Sequence, residues 1–162
     1  MDETALIKLS QQGDVDAFAA LVEQNSGKAL RTARLITGRR DIAEEVVQEA
    51  FIQCYRSIRG LRAPKTFKAW FYRILTRISW RLTAKGKGTL FLEDFSNREK
   101  ESLLSDNSMS ALAEAKEMEQ LVRAALRKLS VPLRITVVLR YYNDLSIQGQ
   151  EEMLKIADSI NN

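Results

Sequence analysis

Ten lysine and arginine side chains lie between Glu49 and Glu93, a stretch of the sequence that contains no acidic residue. Most of the aromatic residues of the chain fall in the same stretch. Basic groups neutralise phosphates and aromatic rings stack on unpaired bases, so the mixture favours binding of nucleic acid with some single-stranded character. A solvated basic face over an ordinary aromatic core is the alternative. The ten basic residues are Arg56, Arg59, Arg62, Lys65, Lys68, Arg73, Arg77, Arg81, Lys85 and Lys87.

The charge of the chain is segregated along the sequence. The 162 residues carry 25 basic and 21 acidic side chains, a net of +4. Subtracting the ten basic residues of the stretch leaves 15 against 21 acidic ones, a net of −6. Solubility alone does not require such segregation of charge along the sequence.

Several enzyme classes are disfavoured by composition. Histidine is absent, which removes the commonest general base and the commonest zinc ligand. The single cysteine, Cys54, falls on an apolar helical row and is predicted to be a buried structural thiol. We find no glycine-rich phosphate loop, and we predict no catalytic residue, no metal and no cofactor. The opening residues lack a signal-peptide pattern and no apolar run reaches membrane-spanning length, so we expect a cytoplasmic chain. From the composition, we also expect that the chain is not an enzyme.

Apolar residues recur at helical spacing almost throughout, and we predict an all-α fold. A first helix is expected from Asp14 or Asp16, either of which is a good N-cap, to a stop at Gly38. The residues Asn25-Ser26-Gly27 are expected to interrupt it.

A strong helix is predicted to follow, with Asp41 as its cap and Gly60 as its end. One face is an apolar stripe that includes Val46, Ala50 and Phe51. The opposite face carries acceptor groups in its first half, which either complement the helix dipole or form a docking surface for a basic partner. Both interpretations stay open at this point. The acceptors are Glu44, Glu45, Gln48 and Glu49.

A basic loop then leads to a second strong helix over 67–85, for which Thr66 is the expected cap. The core face of this helix is predicted to contain Phe67, Trp70, Phe71, Ile74, Leu75, Ile78 and Leu82. Arg73, Arg77 and Arg81 follow at four-residue steps, so we expect three guanidinium groups on one ridge with no carboxylate to pair them. We also expect Trp80, beside this ridge, to face DNA rather than the core.

We divide the chain into a helical domain over 1–85, an acidic linker over 86–110 and a second helical domain over 111–162. The second domain is predicted to hold a helix over 111–129, a helix begun by Pro132, a turn at Asn143-Asp144 and a last helix capped by Ser146.

Two segments resemble a known family. Residues 41–51 read DIAEEVVQEAF and residues 67–74 read FKAWFYRI, which together resemble the promoter-melting domain of bacterial sigma factors of the extracytoplasmic-function group. Residues 129–146, LSVPLRITVVLRYYNDLS, resemble the opening of the second, helix-turn-helix domain of that group. The two patterns occur in the order and at the spacing of the family, over roughly Ala5 to Ile147.

The resemblance implies a sigma factor that directs core RNA polymerase to promoters. The helix with Asp41, Glu44, Glu45, Gln48 and Glu49 would bind the clamp helices of the largest polymerase subunit. The loop and basic helix would hold the opened minus-ten element, especially its single-stranded non-template strand, and an anti-sigma factor is implied as a further partner. The DNA-binding residues would be Arg62, Lys65, Lys68, Arg73, Arg77, Trp80, Arg81 and Lys85.

The chain departs from the family pattern at two places. Arg77 and Arg81 stand where the family commonly has Asn and Asp, which predicts more phosphate affinity and leaves any base contact through the Asn unassigned. Gly149 stands where the family usually has a capping Glu, and the text that follows lacks a basic recognition helix. We therefore expect a truncated or divergent helix-turn-helix whose first helices lack the partner that covers their apolar faces.

Two other functions compete with this interpretation. A degenerate sigma factor would act as a regulatory decoy, binding polymerase or an anti-sigma factor without full promoter recognition. An all-helical RNA-binding protein or scaffold would make both family patterns a coincidence.

Overall fold

The computed structural model describes residues 1–85 and 109–145, and this described part contains α-helices and no strand, as the all-α prediction requires. Two 3₁₀ turns, Ile58–Gly60 and Pro64–Thr66, lie between the third and fourth helices, and a π-helical turn, Val138–Tyr142, follows the sixth. The helices are α1 (Glu3–Gln11), α2 (Val15–Thr37), α3 (Arg40–Ser57), α4 (Phe67–Lys85), α5 (Met109–Arg127) and α6 (Val131–Val137).

Helix α2 lies at the centre of the fold and packs against α1, α3 and α4. Its start and stop agree with the sequence: the Asp14 carboxylate accepts a hydrogen bond from the Ala17 amide at 2.9 Å, and Gly38 ends the helix with a left-handed φ of 71°. A residue with a Cβ would be strained at that φ, which is why glycine suits the position.

The predicted interruption at Asn25-Ser26-Gly27 is wrong, because α2 runs through it without a break. The Asn25 side chain donates to the carbonyl of Leu21 at 2.9 Å, so its amide bonds along the helix instead of competing with it. Helix α1 is a further difference, since no helix was predicted before Asp14. It buries Leu6, Ile7 and Ser10.

The apolar faces predicted for α3 and α4 are confirmed. Val46, Ala50 and Cys54 of α3 are fully buried, and Phe71 and Leu75 of α4 are at most 1% exposed. Burial raises the pKa of the Cys54 thiol to about 12, so this cysteine is an inert part of the core, as predicted.

The ends of α3 and α4 differ in detail from the prediction. Arg39, not Asp41, occupies the N-cap position of α3, and Asp41 lies in the first turn. The helix ends at Ser57, and Gly60 ends the 3₁₀ turn after it. The Thr66 hydroxyl donates to the carbonyl of Ala63 at 2.7 Å, within the second 3₁₀ turn.

Residues 131–145 pack against α2, which corrects the expectation that these helices lack a covering partner. Val138 and Leu139 are buried in the same apolar cluster as the core of α1–α4. Arg134 is 4% exposed, and its guanidinium donates to the carbonyl of Ile36 at 2.7 Å. It also bonds three carbonyls near the end of α5, so its desolvated charge is surrounded by acceptors.

A second polar contact joins the same two parts of the chain. Asn143 is 0% exposed, and its amide donates to the Thr32 hydroxyl of α2 at 3.0 Å. Burial raises the pKa of the Tyr72 phenol of α4, and hydrogen bonds with the Thr32 and Asn143 side chains partly oppose this rise. The predicted turn at Asn143-Asp144 is present, with a positive φ of 54° at Asp144.

The remaining predictions about organisation fall largely outside the described residues. Residues 86–108 of the linker predicted over 86–110, the last helix after Ser146 and the departure at Gly149 belong there. The division into domains stays a prediction. The helix predicted over 111–129 is present as α5, Pro132 lies in the first turn of α6 as expected, and no described helix is long and apolar enough to cross a membrane.

Candidate nucleic-acid interface

An aromatic cluster fixes the orientation of α4. The Phe71 ring lies 4.7 Å from the Phe51 ring of α3 and 5.9 Å from the Phe67 ring, measured between centroids. Tyr72 meets Phe71 edge to face at 5.5 Å. Such contacts add about 0.5–1.5 kcal/mol per pair to the apolar burial, so this face of α4 is held against α2 and α3. The other face of the helix is turned to solvent.

Besides Arg81, four basic side chains of the loop and helix are exposed: Arg62, Lys65, Lys68 and Arg77. None of the four forms an ion pair with another residue in the described ranges 1–85 and 109–145. Their positive charge is therefore available to an external anion. Lys85 is the last residue of α4, and its side chain is not among those that the structure describes.

The ridge of three arginines is less uniform than predicted. The Arg81 guanidinium forms an ion pair with the Glu49 carboxylate of α3, so the expectation that no carboxylate pairs this ridge is wrong. Arg73 is half-buried, while Arg77 is exposed. The expectation failed because the two partners are 32 residues apart, and a helical pattern describes only neighbours within one helix.

Trp80 is half-buried and packs against the hydrophobic core. Part of the residue therefore contributes to holding α4 in place, and part remains accessible to solvent. A stacking role toward an unpaired base uses only the accessible part. The preference for a DNA-facing ring over a core ring stays a prediction.

The acidic face of α3 is partly neutralised by arginines of the same chain. The Arg39 Nη2 atom lies 2.7 Å from Oδ2 of Asp41, and the Arg40 Nε atom lies 3.0 Å from Oε1 of Glu44. The hydrogen bond from Arg39 holds the pKa of Asp41 below its usual value. Glu45 and Gln48 are exposed, whereas Glu49 turns toward α4. The five predicted polymerase contacts therefore do not form one uniform surface.

Comparison with known proteins identifies the family. The Sigma-70 region 2 family matches residues 21–85. The ECF RNA polymerase sigma-E factor of Haemophilus influenzae is 31% identical over 164 residues, which covers 95% of this chain and 84% of the relative. The chain belongs to the ECF sigma factors.

Two further relatives give the same picture. SigW of Bacillus subtilis, an ECF RNA polymerase sigma factor, is 29% identical over 160 residues, covering 93% of this chain and 83% of the relative. The RNA polymerase sigma-H factor of Pseudomonas aeruginosa is 30% identical over 149 residues, covering 88% and 77%. The resemblance drawn from the two sequence motifs is confirmed at the level of the family.

The region 2 match covers the whole candidate interface of this ECF sigma factor. It contains every residue predicted to bind DNA or polymerase, together with the aromatic cluster that orients α4. Helix α1 precedes the match, and its last residue, Gln11, contacts the loop before α4. Sequence reasoning missed Gln11, because no signal within one helix indicates a contact to a residue 47 positions away.

Proposed function

We propose that this ECF sigma factor directs core RNA polymerase to promoters and stabilises the opened minus-ten element during transcription initiation. The polymerase performs the chemistry, and the chain contributes positioning and strand separation without being an enzyme. The observation that carries the proposal is the exposed basic array formed by Arg62, Lys65, Lys68 and Arg77. The array lies within the region 2 match, partly on the loop before α4 and partly on α4 itself, whose opposite face packs into the core.

The array suits an opened strand better than a closed duplex. Its basic groups span a loop and the solvent face of a helix, where they can follow a flexible backbone by neutralising phosphates. Trp80, which is only half-buried, supplies a stacking surface that tolerates any base. Arg73, Arg81 and Lys85 complete the proposed DNA-binding set. The energy of strand separation is then offset by contacts that exist only with the unpaired strand.

The start of α3 is proposed to bind the polymerase. Glu44, Glu45 and Gln48 are exposed on one side of the helix, with Asp41 in its first turn. A basic partner such as the clamp helices of the largest subunit would replace Arg39 and Arg40 as the neighbours of these carboxylates. Glu49 contributes indirectly in this scheme, since it is paired to Arg81. An anti-sigma factor is a further proposed partner.

Transcription in vitro with bacterial core polymerase and a library of promoter templates tests the function. We expect transcripts that depend on added chain and that come from a subset of templates with a shared minus-ten sequence. A chain that binds core polymerase yet yields no transcript from any template would instead favour the regulatory decoy. Failure to bind core polymerase at all would contradict both.

A further inference from the structure

The side chain of Gln11 connects α1 to the segment between α3 and α4. Its Nε2 atom donates to the carbonyl of Ile58 at 3.0 Å and to the carbonyl of Leu61 at 2.7 Å. A glutamine amide nitrogen carries two hydrogens, and each is used here by one carbonyl. Gln11 is the last residue of α1, so the contact is made from the end of a helix that is itself packed into the core.

The segment that Gln11 contacts carries two residues of the proposed basic array, Arg62 and Lys65. Ile58 and Leu61 are buried, whereas Arg62 and Lys65 are exposed. Inside the segment, the Leu61 amide bonds the Ile58 carbonyl at 3.1 Å and the Thr66 amide bonds the Ala63 carbonyl at 2.9 Å. These bonds shape two separate turns, and neither of them ties residues 58–61 to the rest of the molecule.

A second contact joins the same two parts of the chain. The turn between α1 and α2 contains Gly13, with a φ of 97°, and a Cβ built on Gly13 would lie 3.2 Å from Nη2 of Arg59. The Arg59 guanidinium therefore lies directly over this turn. The segment meets the end of α1 at two points, one through its carbonyls and one through a side chain.

We propose that Gln11 is a positioning residue that holds the segment 58–66 in the conformation presenting Arg62 and Lys65 to the opened DNA strand. The proposal rests on the proposed function and extends the DNA-binding apparatus to α1, which lies outside the region 2 match. Without the amide, the two carbonyls lose their shared donor and the segment gains other conformations of similar energy. Strands that require the ordered conformation then bind less tightly, because the segment must be ordered first, whereas non-specific phosphate contacts tolerate the other conformations and keep their affinity.

The test uses the full chain and a random-sequence pool of single-stranded oligonucleotides. Wild type selects a set of sequences, and the measured quantity is its affinity for this selected set divided by its affinity for the unselected pool. For Gln11→Leu we expect this ratio to fall about tenfold, the effect of losing one to two hydrogen bonds. The salt dependence of pool binding should not change, because no charge is removed. Gln12→Leu, at the exposed neighbouring position, is the matched control and should keep the wild-type ratio.

Two further measurements separate positioning from folding. Hydrogen exchange at the Leu61 amide should speed up in Gln11→Leu while exchange in α2 and α3 stays unchanged. Gln11→Asn keeps an amide but is too short to reach both carbonyls, so it should reproduce the loss even if Gln11→Leu does not fold.

Three outcomes would overturn the proposal. The first is a wild-type ratio in both Gln11 variants. The second is an equal loss of affinity for the selected set and the pool together with a lower melting temperature, which would make Gln11 only structural. The third is that wild type enriches no sequence from the pool. This result would overturn the proposed function as well. It can be told apart from the other two because it appears before any variant is measured.

Discussion

Helix α3 and the loop with α4 carry opposite charges, and they differ in how those charges are satisfied. On α3, Asp41, Glu44 and Glu49 each have an arginine partner within the chain. On the loop and α4, Arg62, Lys65, Lys68 and Arg77 have no ion-pair partner among residues 1–85 and 109–145. A partner of α3 must therefore displace local arginines, whereas a phosphate chain meets a basic surface that is already free.

The largest effect is expected from reversing charge on α3. Glu44→Lys with Glu45→Lys should weaken the complex with core polymerase by about 2–4 kcal/mol, because like charges would then face the basic surface that we propose as the partner of α3. Both side chains lie on the exposed face, so helical content should be unchanged. Pull-down and titration against core polymerase measure the change. The control is Glu23→Lys with Glu117→Lys, two exposed carboxylates elsewhere, and equal weakening by this pair would remove the docking assignment.

Trp80 tests whether the two functions of α4, packing and binding, can be separated. Trp80→Ala should weaken binding of single-stranded DNA by about 1–3 kcal/mol if the ring stacks on a base. Trp80→Phe keeps an aromatic face and should lose less affinity for single-stranded DNA than Trp80→Ala. Fluorescence titration gives the affinities, and thermal unfolding of both variants gives the packing contribution. A lower melting temperature with unchanged DNA affinity would assign the ring to the core alone.

The Glu49–Arg81 pair is the point where the acidic and basic surfaces meet. Glu49→Gln should raise affinity for single-stranded DNA by at most about fivefold, because an exposed ion pair is worth about 0–1 kcal/mol. The gain should vanish in an Arg81→Gln background, where there is no guanidinium to release. A gain of the same size in that background would show that Glu49 acts by general repulsion of DNA.

Asp41 should give the smallest effect. Its pKa is lowered in the folded chain by the Arg39 hydrogen bond, so the pair stabilises the fold above the unfolded pKa and the stabilisation is lost as pH falls through the folded value. Because the carboxylate is largely exposed, Asp41→Asn should cost only a few tenths of a kcal/mol at neutral pH. Chemical denaturation at pH 7 and near pH 3 should show this cost shrinking in acid. A constant cost would mean that the carboxylate charge is irrelevant.

The features that could be predicted from the sequence are those that depend on residue spacing within one helix. The apolar rows through Val46, Ala50 and Leu75 were correct because burial follows helical spacing directly, and Asp14 and Gly38 were correct because caps are local chemistry. The sequence also identified the exposed basic array, since a charge excess without acids nearby has few places to be buried.

Contacts between helices were beyond this kind of reasoning. The Arg134 guanidinium reaches the Ile36 carbonyl across 98 residues, and nothing in the spacing of either helix indicates it. The same holds for Gln11 with the loop. Gly27 in α2 shows the converse error, in which a local breaker was given more weight than the packing that keeps the helix continuous.

The salt dependence of single-strand binding tests the central claim, that the exposed array binds phosphates, most directly. A variant with Gln at Arg62, Lys65, Lys68 and Arg77 should flatten the log–log slope by about 2.8, or about 0.7 per phosphate contact on a single strand. The control replaces Lys8, Arg31, Lys128 and Arg140, four exposed basic residues elsewhere, and changes the net charge equally. We expect the control slope to stay near that of wild type. Equal flattening in both variants, or none in the first, would contradict the account.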